Sequence, residues 1–220
     1  MSDSITKLTP ANLAALLCAR ICHDLVSPVG ALGAALEVFE DDDNLDMRDD
    51  AMDLIKLSAG QASAKLQFLR LAFGAGGSAP GIVATEELKK LSLGVYGDAK
   101  ATIDWQVEED GLDKPSSRLL LNLIMLAVMA VPRGGDIVIT AKCEDEQTQL
   151  KLVCTGPKAR LNPSVVLTLA GGAPEEGFDG RNIQPFYSGM IAREAGGNVS
   201  AEIEEETVTF SAHIPAGEAA

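Results

Sequence analysis

The sequence has no lysine- or arginine-rich run: 18 basic residues stand against 32 acidic ones, a formal net charge of −14. Binding nucleic acid needs a basic face to neutralise phosphate, so no DNA or RNA partner is expected. It shows no charged-then-apolar leader and no apolar run of bilayer length, so we expect a soluble, cytoplasmic protein with no membrane partner. Cysteine is scarce, and Cys18, Cys22, Cys143 and Cys154 form no Cys-x-x-Cys pair. Their apolar or strand-like contexts argue for reduced core thiols. Cys18 and Cys22 lie on an apolar seam and no second ligand cluster accompanies them and His23, so no metal site is expected. The acidic run Glu40-Asp41-Asp42-Asp43-Asn44 lacks the spacing and the glycine of a calcium loop and is read as a solvated turn. Tryptophan occurs once, as Trp105, placed in a strand as a core residue. Of the two histidines, His213 falls in the last strand as a surface or packing residue, which leaves His23.

His23 sits inside a long helical pattern. Cys18, Cys22, Leu25, Val29, Leu32, Leu36 and Phe39 recur at four and three, the seam of a bundle helix, and His23 lies one residue off it. Arg20, Ser27, Gly30 and Ala34 share its outer face, a mostly small-residue row that another protein can approach closely. Imidazole titrates close to neutrality, so an exposed ring nitrogen can act as a nucleophile towards phosphorus. Asp24 follows directly, and either orients the ring or only balances local charge. Arg20 either reaches phosphoryl oxygens or is an ordinary solvated arginine. Ser27 is placed to satisfy a backbone carbonyl near Pro28, where the helix loses one N–H donor.

Thr9-Pro10 supplies an N-cap and a first helical residue, and the helix runs to about Glu40. A second helix, about 46 to 73, carries its own seam of Ile55, Ser58, Ala62, Leu66, Leu69 and Phe73. Two long helices and a short turn make an antiparallel hairpin with one seam uncovered. Two copies are therefore expected to pair as a four-helix bundle, a homodimer. Residues 1–75 form this unit, the glycine-rich stretch 76–81 a linker, and 82–220 a second unit with its own core. There, short helices and strands alternate: a helix over about 84–96, a strand near 102–107, a helix over 116–131, strands at 137–143 and 149–154, helices after Pro163 and over about 183–195, and a closing hairpin of 199–204 with 207–214. Helices on one face of a mixed sheet follow, an α/β sandwich, so the fold class is an α hairpin joined to an α/β unit.

His23-Asp24-Leu25-Val26-Ser27-Pro28 resembles the phosphoacceptor box of histidine kinases, His-Glu/Asp-Leu-Arg-Thr-Pro. The second unit's element order resembles the kinases' ATP-binding domain, the GHKL or Bergerat fold, in degenerate form. Asn122 matches the first asparagine of that family's Asn box, but the second, which holds Mg²⁺, falls on Leu126, which has no oxygen to offer. Cys154 stands where the adenine-binding aspartate is expected and Lys158 at the second glycine of that box. The phosphate-cradling stretch falls on Asn182-Ile183-Gln184-Pro185-Phe186, which has no glycine. No nucleotide cofactor is therefore expected.

A phosphoacceptor hairpin fused to a kinase domain without its nucleotide site is similar to the alphaproteobacterial histidine phosphotransferases. Cys22-His23-Asp24, the stretch from Asp46 to Met52, Lys114-Pro115-Ser116-Ser117-Arg118 and Gly156-Pro157-Lys158-Ala159-Arg160-Leu161 carry the similarity. The resemblance implies a homodimeric phosphorelay intermediate that regulates the cell cycle, with His23 as phosphoacceptor. It implies a donor receiver domain on a hybrid histidine kinase (CckA-like) and acceptor response regulators (CtrA-like and CpdR-like), with Mg²⁺ in the receiver and no cofactor in this chain. The other readings are an ATP-dependent kinase, which the three lost motifs oppose, and a non-enzymatic protein that docks or sequesters kinase or receiver domains.

Overall fold

The computed structural model describes residues 5–74 and 81–215. Thr9 accepts the Asn12 backbone N–H at 3.2 Å and Pro10 takes the first turn, which starts α1, Pro10–Glu40. The helix runs on through Pro28. Asp41 then caps a 3₁₀ turn, Asp42–Met47, by accepting from Asp43 N–H, so the acidic run is a turn as expected. α2, Arg48–Ala72, returns antiparallel to α1. The glycine-rich stretch that follows lies, apart from Gly74 and Gly81, outside the described residues.

The seam of α1 is a correction to the spacing argument. The buried or half-buried residues of α1 include Leu17, Arg20, Ile21, Asp24, Pro28, Ala31, Ala35 and Val38, mostly one position before the expected seam, together with Leu25, Leu32 and Phe39 of that seam, of which Leu25 packs against the core. Cys18, Cys22, Val29 and Leu36 of the expected seam are exposed. α1 carries apolar residues in both registers, and spacing alone does not say which of them faces α2. Cys18, Cys22 and Cys143 are accordingly not core residues. Cys154 alone is buried, and burial pushes its thiol up to about 12. With one face open, α1 is also long and apolar enough to cross a membrane by length and composition, contrary to the expectation that no stretch is.

The second region opens with β1 (Ile82–Ala84), α3 (Thr85–Tyr96), β2 (Ala101–Trp105), β3 (Gly111–Asp113) and α4 (Lys114–Ala130). It continues with β4 (Gly135–Glu144), β5 (Gln147–Thr155), α5 (Pro163–Leu169), α6 (Ile183–Glu194), β6 (Asn198–Glu204) and β7 (Thr207–Pro215). The five-stranded sheet has the order β2-β4-β5-β7-β6, with β2 and β4 parallel and the other pairs antiparallel. β1 and β3 form a separate two-stranded ribbon; each is only three residues long, too short for periodicity to reveal. On one face of the sheet Ile137, Ile139, Leu150, Leu152, Val208 and Phe210 are buried beneath the helices, as the alternating pattern expects. Trp105 is only half-buried at the core's edge, and His213 is exposed on β7.

α4 is the central element. Asp113 caps it by accepting Ser116 N–H at 2.7 Å, and its residues from Leu119 to Ala127 are all buried. Phe68, Leu69 and Ala72 of α2 belong to the same core as α4 and the sheet, so the base of the hairpin is built into the sandwich. Asn122, fully buried, donates from Nδ2 to the Ala72 carbonyl at 2.8 Å and to the Arg118 carbonyl at 2.9 Å. Gln184 Nε2 donates to the Asn122 carbonyl at 2.8 Å, and Tyr187 stacks on Phe73 with ring centroids 5.6 Å apart. The residue that matches a metal-binding box thus ties the last turn of α2 to α4. Asn122→Leu removes that donor and strands the Ala72 carbonyl, so chemical denaturation is expected to show a loss of about 2–3 kcal/mol.

Candidate functional site

His23 lies on the flank of α1 away from its buried seam, with its side chain 59% exposed. Its Nδ1 is 3.2 Å from Asp24 Oδ1. Neighbours one apart on a helix normally diverge, but Asp24 is on the buried register and its short carboxylate swings back. What holds it is Arg20: Nε donates to Asp24 Oδ2 at 2.9 Å, an i,i+4 pair. Arg20 is buried, so it is neither a solvated arginine nor part of the exposed row; it fixes the carboxylate that meets the ring. Ser27, Gly30 and Ala34 are exposed, and the Ser27 hydroxyl makes no hydrogen bond among the described residues.

The remaining neighbours come from elements that α1's own spacing cannot reveal. Lys65 of α2 donates from Nζ to the Asp24 carbonyl at 3.2 Å. Beneath lies a cavity of about 310 Å³ whose walls include Arg20, Asp24, Lys65, Phe68 and Tyr96. Burial, and after it the Asp24 charge, pushes the Tyr96 phenol above its usual range while Arg20 opposes them, so it stays neutral. From the second region, Gly180 rests on the α1 backbone: a Cβ there would sit 3.3 Å from Ala19 C and Arg20 N. The adjoining Asp179 carboxyl is held below its usual range, first by the Asn182 N–H, then by the Arg181 N–H and charge and by His23. His23 is therefore flanked by the hairpin on one side and by the loop before α6 on the other.

The nucleotide-motif positions fall on α4, β5 and the start of α6. Leu126 is buried in α4, Cys154 is buried in β5, and Pro185 sits in the first turn of α6. No group of three or more histidine, cysteine or acidic side chains that could hold a metal occurs among the described residues. What the site offers chemically is a solvent-facing imidazole whose Nδ1 is engaged by a carboxylate, itself anchored from below.

Three comparisons bear on this arrangement. The family model described as histidine phosphotransferase C-terminal domain matches residues 85–207, more than half of the chain. Protein phosphotransferase ChpT of Brucella abortus (strain 2308) is 38% identical over 212 residues, which is 96% of this chain and 100% of that protein. A solved bacterial phosphotransferase is 36% identical with a TM-score of 0.84 and covers 95% of this chain and 100% of its own. Full-length ShkA in complex with AMPPNP, 20% identical with a TM-score of 0.50, covers 97% of this chain and 47% of its own and is similar in fold alone. Both phosphotransferases match the helical hairpin as well as the sandwich, so the likeness includes the helix that bears His23. The chain belongs to the histidine phosphotransferases and transfers phosphoryl groups in a phosphorelay.

Proposed function

We propose that His23 accepts a phosphoryl group from the phosphoaspartate of a receiver domain and returns it to the aspartate of a second receiver. The observation that carries this is the Nδ1 to Asp24 hydrogen bond on a ring that otherwise faces solvent. With the Nδ1 proton donated to Asp24, the Nε2 lone pair points outward. Nε2 attacks phosphorus in line, the acyl-phosphate P–O bond breaks, and the donor aspartate leaves as a carboxylate. The ring becomes a phosphohistidinium whose positive charge Asp24 offsets, so no proton has to move. In the second half-reaction the acceptor's carboxylate attacks, the N–P bond breaks and the neutral ring returns. Mg²⁺ in the receiver supplies charge neutralisation to the loose transition state. The chain itself brings no metal and no nucleotide.

The partners in this reading are the receiver of a hybrid histidine kinase (CckA-like) and response regulators of the cell cycle (CtrA-like, CpdR-like), in the cytoplasm. Ser27, Gly30 and Ala34 let the receiver approach the ring closely. A complex of wild type or His23→Ala with a receiver separates relay from sequestration. The relay reading has the variant bind as wild type does and take no phosphoryl group; sequestration has both proteins perform alike.

The homodimer rests on the second, exposed seam. Val29 and Leu36 of α1 and Leu54 and Leu57 of α2 are exposed apolar residues that a four-helix bundle would cover. A second copy, rather than lipid, is the occupant we assign to this seam. Leu57→Glu is expected to turn a dimer mass into a monomer mass in light scattering. Wild type is expected to stay in the soluble fraction when floated with vesicles.

A further inference from the structure

Pro28 opens a gap in the hydrogen bonding of α1 beside His23. It is buried inside the helix and has no N–H, so the carbonyl four residues earlier, that of Asp24, loses its helical donor. A part-buried carbonyl without a donor is costly, so another group has to fill the place. Ser27 is the local candidate, since a hydroxyl can reach back to the carbonyl three residues before it, but it is exposed and its hydroxyl makes no hydrogen bond among the described residues. The donor comes from the other helix. Lys65 of α2, 41 residues on, places Nζ 3.2 Å from the Asp24 carbonyl oxygen.

A second observation is what the lysine does not do. Half-buried on α2, it forms no salt bridge among the described residues. The cavity that it lines with Arg20, Phe68 and Tyr96 has one acid in its wall, Asp24, whose two carboxylate oxygens already face Arg20 Nε at 2.9 Å and His23 Nδ1 at 3.2 Å. The ammonium is therefore held by a neutral backbone carbonyl and not by an ion pair. Asp24 is fixed at three points: its carbonyl by α2, one carboxylate oxygen by Arg20 and the other by the ring. The backbone anchor matters for the side chain, because a carboxylate next to His23 in sequence meets the ring only while the Cα–Cβ bond of Asp24 keeps its direction.

We propose that Lys65 is a positioning residue for phosphoryl transfer. By filling the acceptor that Pro28 leaves open, it fixes the turn of α1 that carries Asp24, and through Asp24 it keeps the His23 proton on Nδ1 and the Nε2 lone pair free. The inference rests on the assignment of His23 as phosphoacceptor. It makes Pro28 and Lys65 one device: the proline vacates the acceptor, and the lysine fills it from the neighbouring helix.

The test is a cycle of Lys65→Met, Pro28→Ala and the double variant in the full chain, with two readouts. The first is transfer from a labelled phosphoreceiver, with the rate and the KM for the receiver measured separately. Lys65→Met is expected to lower the rate about tenfold at unchanged KM, the scale of losing a group that orients a reacting side chain. In Pro28→Ala the helix supplies its own N–H to the Asp24 carbonyl, so removing Lys65 from that variant is expected to cost less than about threefold. Lys65→Arg, which can still donate to the carbonyl, is expected to stay within about threefold of wild type. The second readout is the tautomer of the neutral His23 ring, from two-bond proton–nitrogen couplings in isotope-labelled protein. Wild type and the double variant are expected to hold the proton on Nδ1, and Lys65→Met to move part of it to Nε2. No rate loss in Lys65→Met, or a loss of the same size with and without Pro28, overturns the proposal, and so does an unchanged tautomer. If wild type takes up no label, the relay reading of His23 fails by itself and the tautomer alone decides on Lys65. If Lys65→Met fails to fold by circular dichroism, Lys65→Gln, too short to reach the carbonyl, takes its place in the cycle.

Discussion

Replacing His23 by alanine is expected to abolish phosphoryl uptake, a loss of at least about 10³-fold, while the fold stays in place. The imidazole is more than half exposed and its one hydrogen bond runs to the adjacent Asp24, so little packing is lost. The expected change in stability is within about 0.5 kcal/mol, the usual scale for surface substitutions. Asp24 keeps its bond to Arg20 and stays satisfied in the variant. Unchanged circular dichroism and an unchanged oligomeric mass together with a lost rate assign the nucleophile to His23. A variant that still takes up the phosphoryl group moves it elsewhere.

Asp24→Asn is expected to lower the transfer rate by about 10²–10³-fold with receiver affinity unchanged. Its cause lies in Arg20. That buried guanidinium needs an oxygen where Asp24 Oδ2 now stands, 2.9 Å from Nε. Asparagine has one oxygen, and Arg20 claims it, which turns the amide nitrogen towards His23 Nδ1. Only a ring protonated at Nε2 can accept that bond, and a protonated Nε2 has no lone pair for phosphorus. The charge that offsets the phosphohistidinium disappears as well. If Asp24 merely balanced local charge, the rate would fall by no more than about threefold, and a pre-steady-state transfer assay separates the two.

How much of this was legible in the sequence depends on how local each feature is. Thr9-Pro10, the acidic turn and the alternating strands depend on neighbours within a few residues, and the structure places them where their spacing does. The expected α1 seam is buried only in part, at Leu25, Leu32 and Phe39, because α1 has two apolar registers and spacing alone does not say which one faces α2. Lys65 and the Asp179–Arg181 loop lie far from His23 in sequence; only the hairpin register and the packing of Gly180 on α1 bring them to it. Arg20 was identified but its environment was not, since a guanidinium one turn before a carboxylate looks the same in sequence whether buried or solvated. Asn122 shows the reverse: its resemblance to a metal box was visible, its use as a clamp on α2 required the fold.

The most direct test of the central claim is a two-step transfer with purified components. A labelled phosphoreceiver is mixed with the chain in Mg²⁺ without ATP, the chain is isolated, a second receiver is added, and the label is tested for stability in acid and in base. The relay expects an acid-labile, base-stable label on wild type, absent from His23→Ala, that moves on to the second receiver. Label on neither protein while the receiver still binds, or label on both alike, contradicts it.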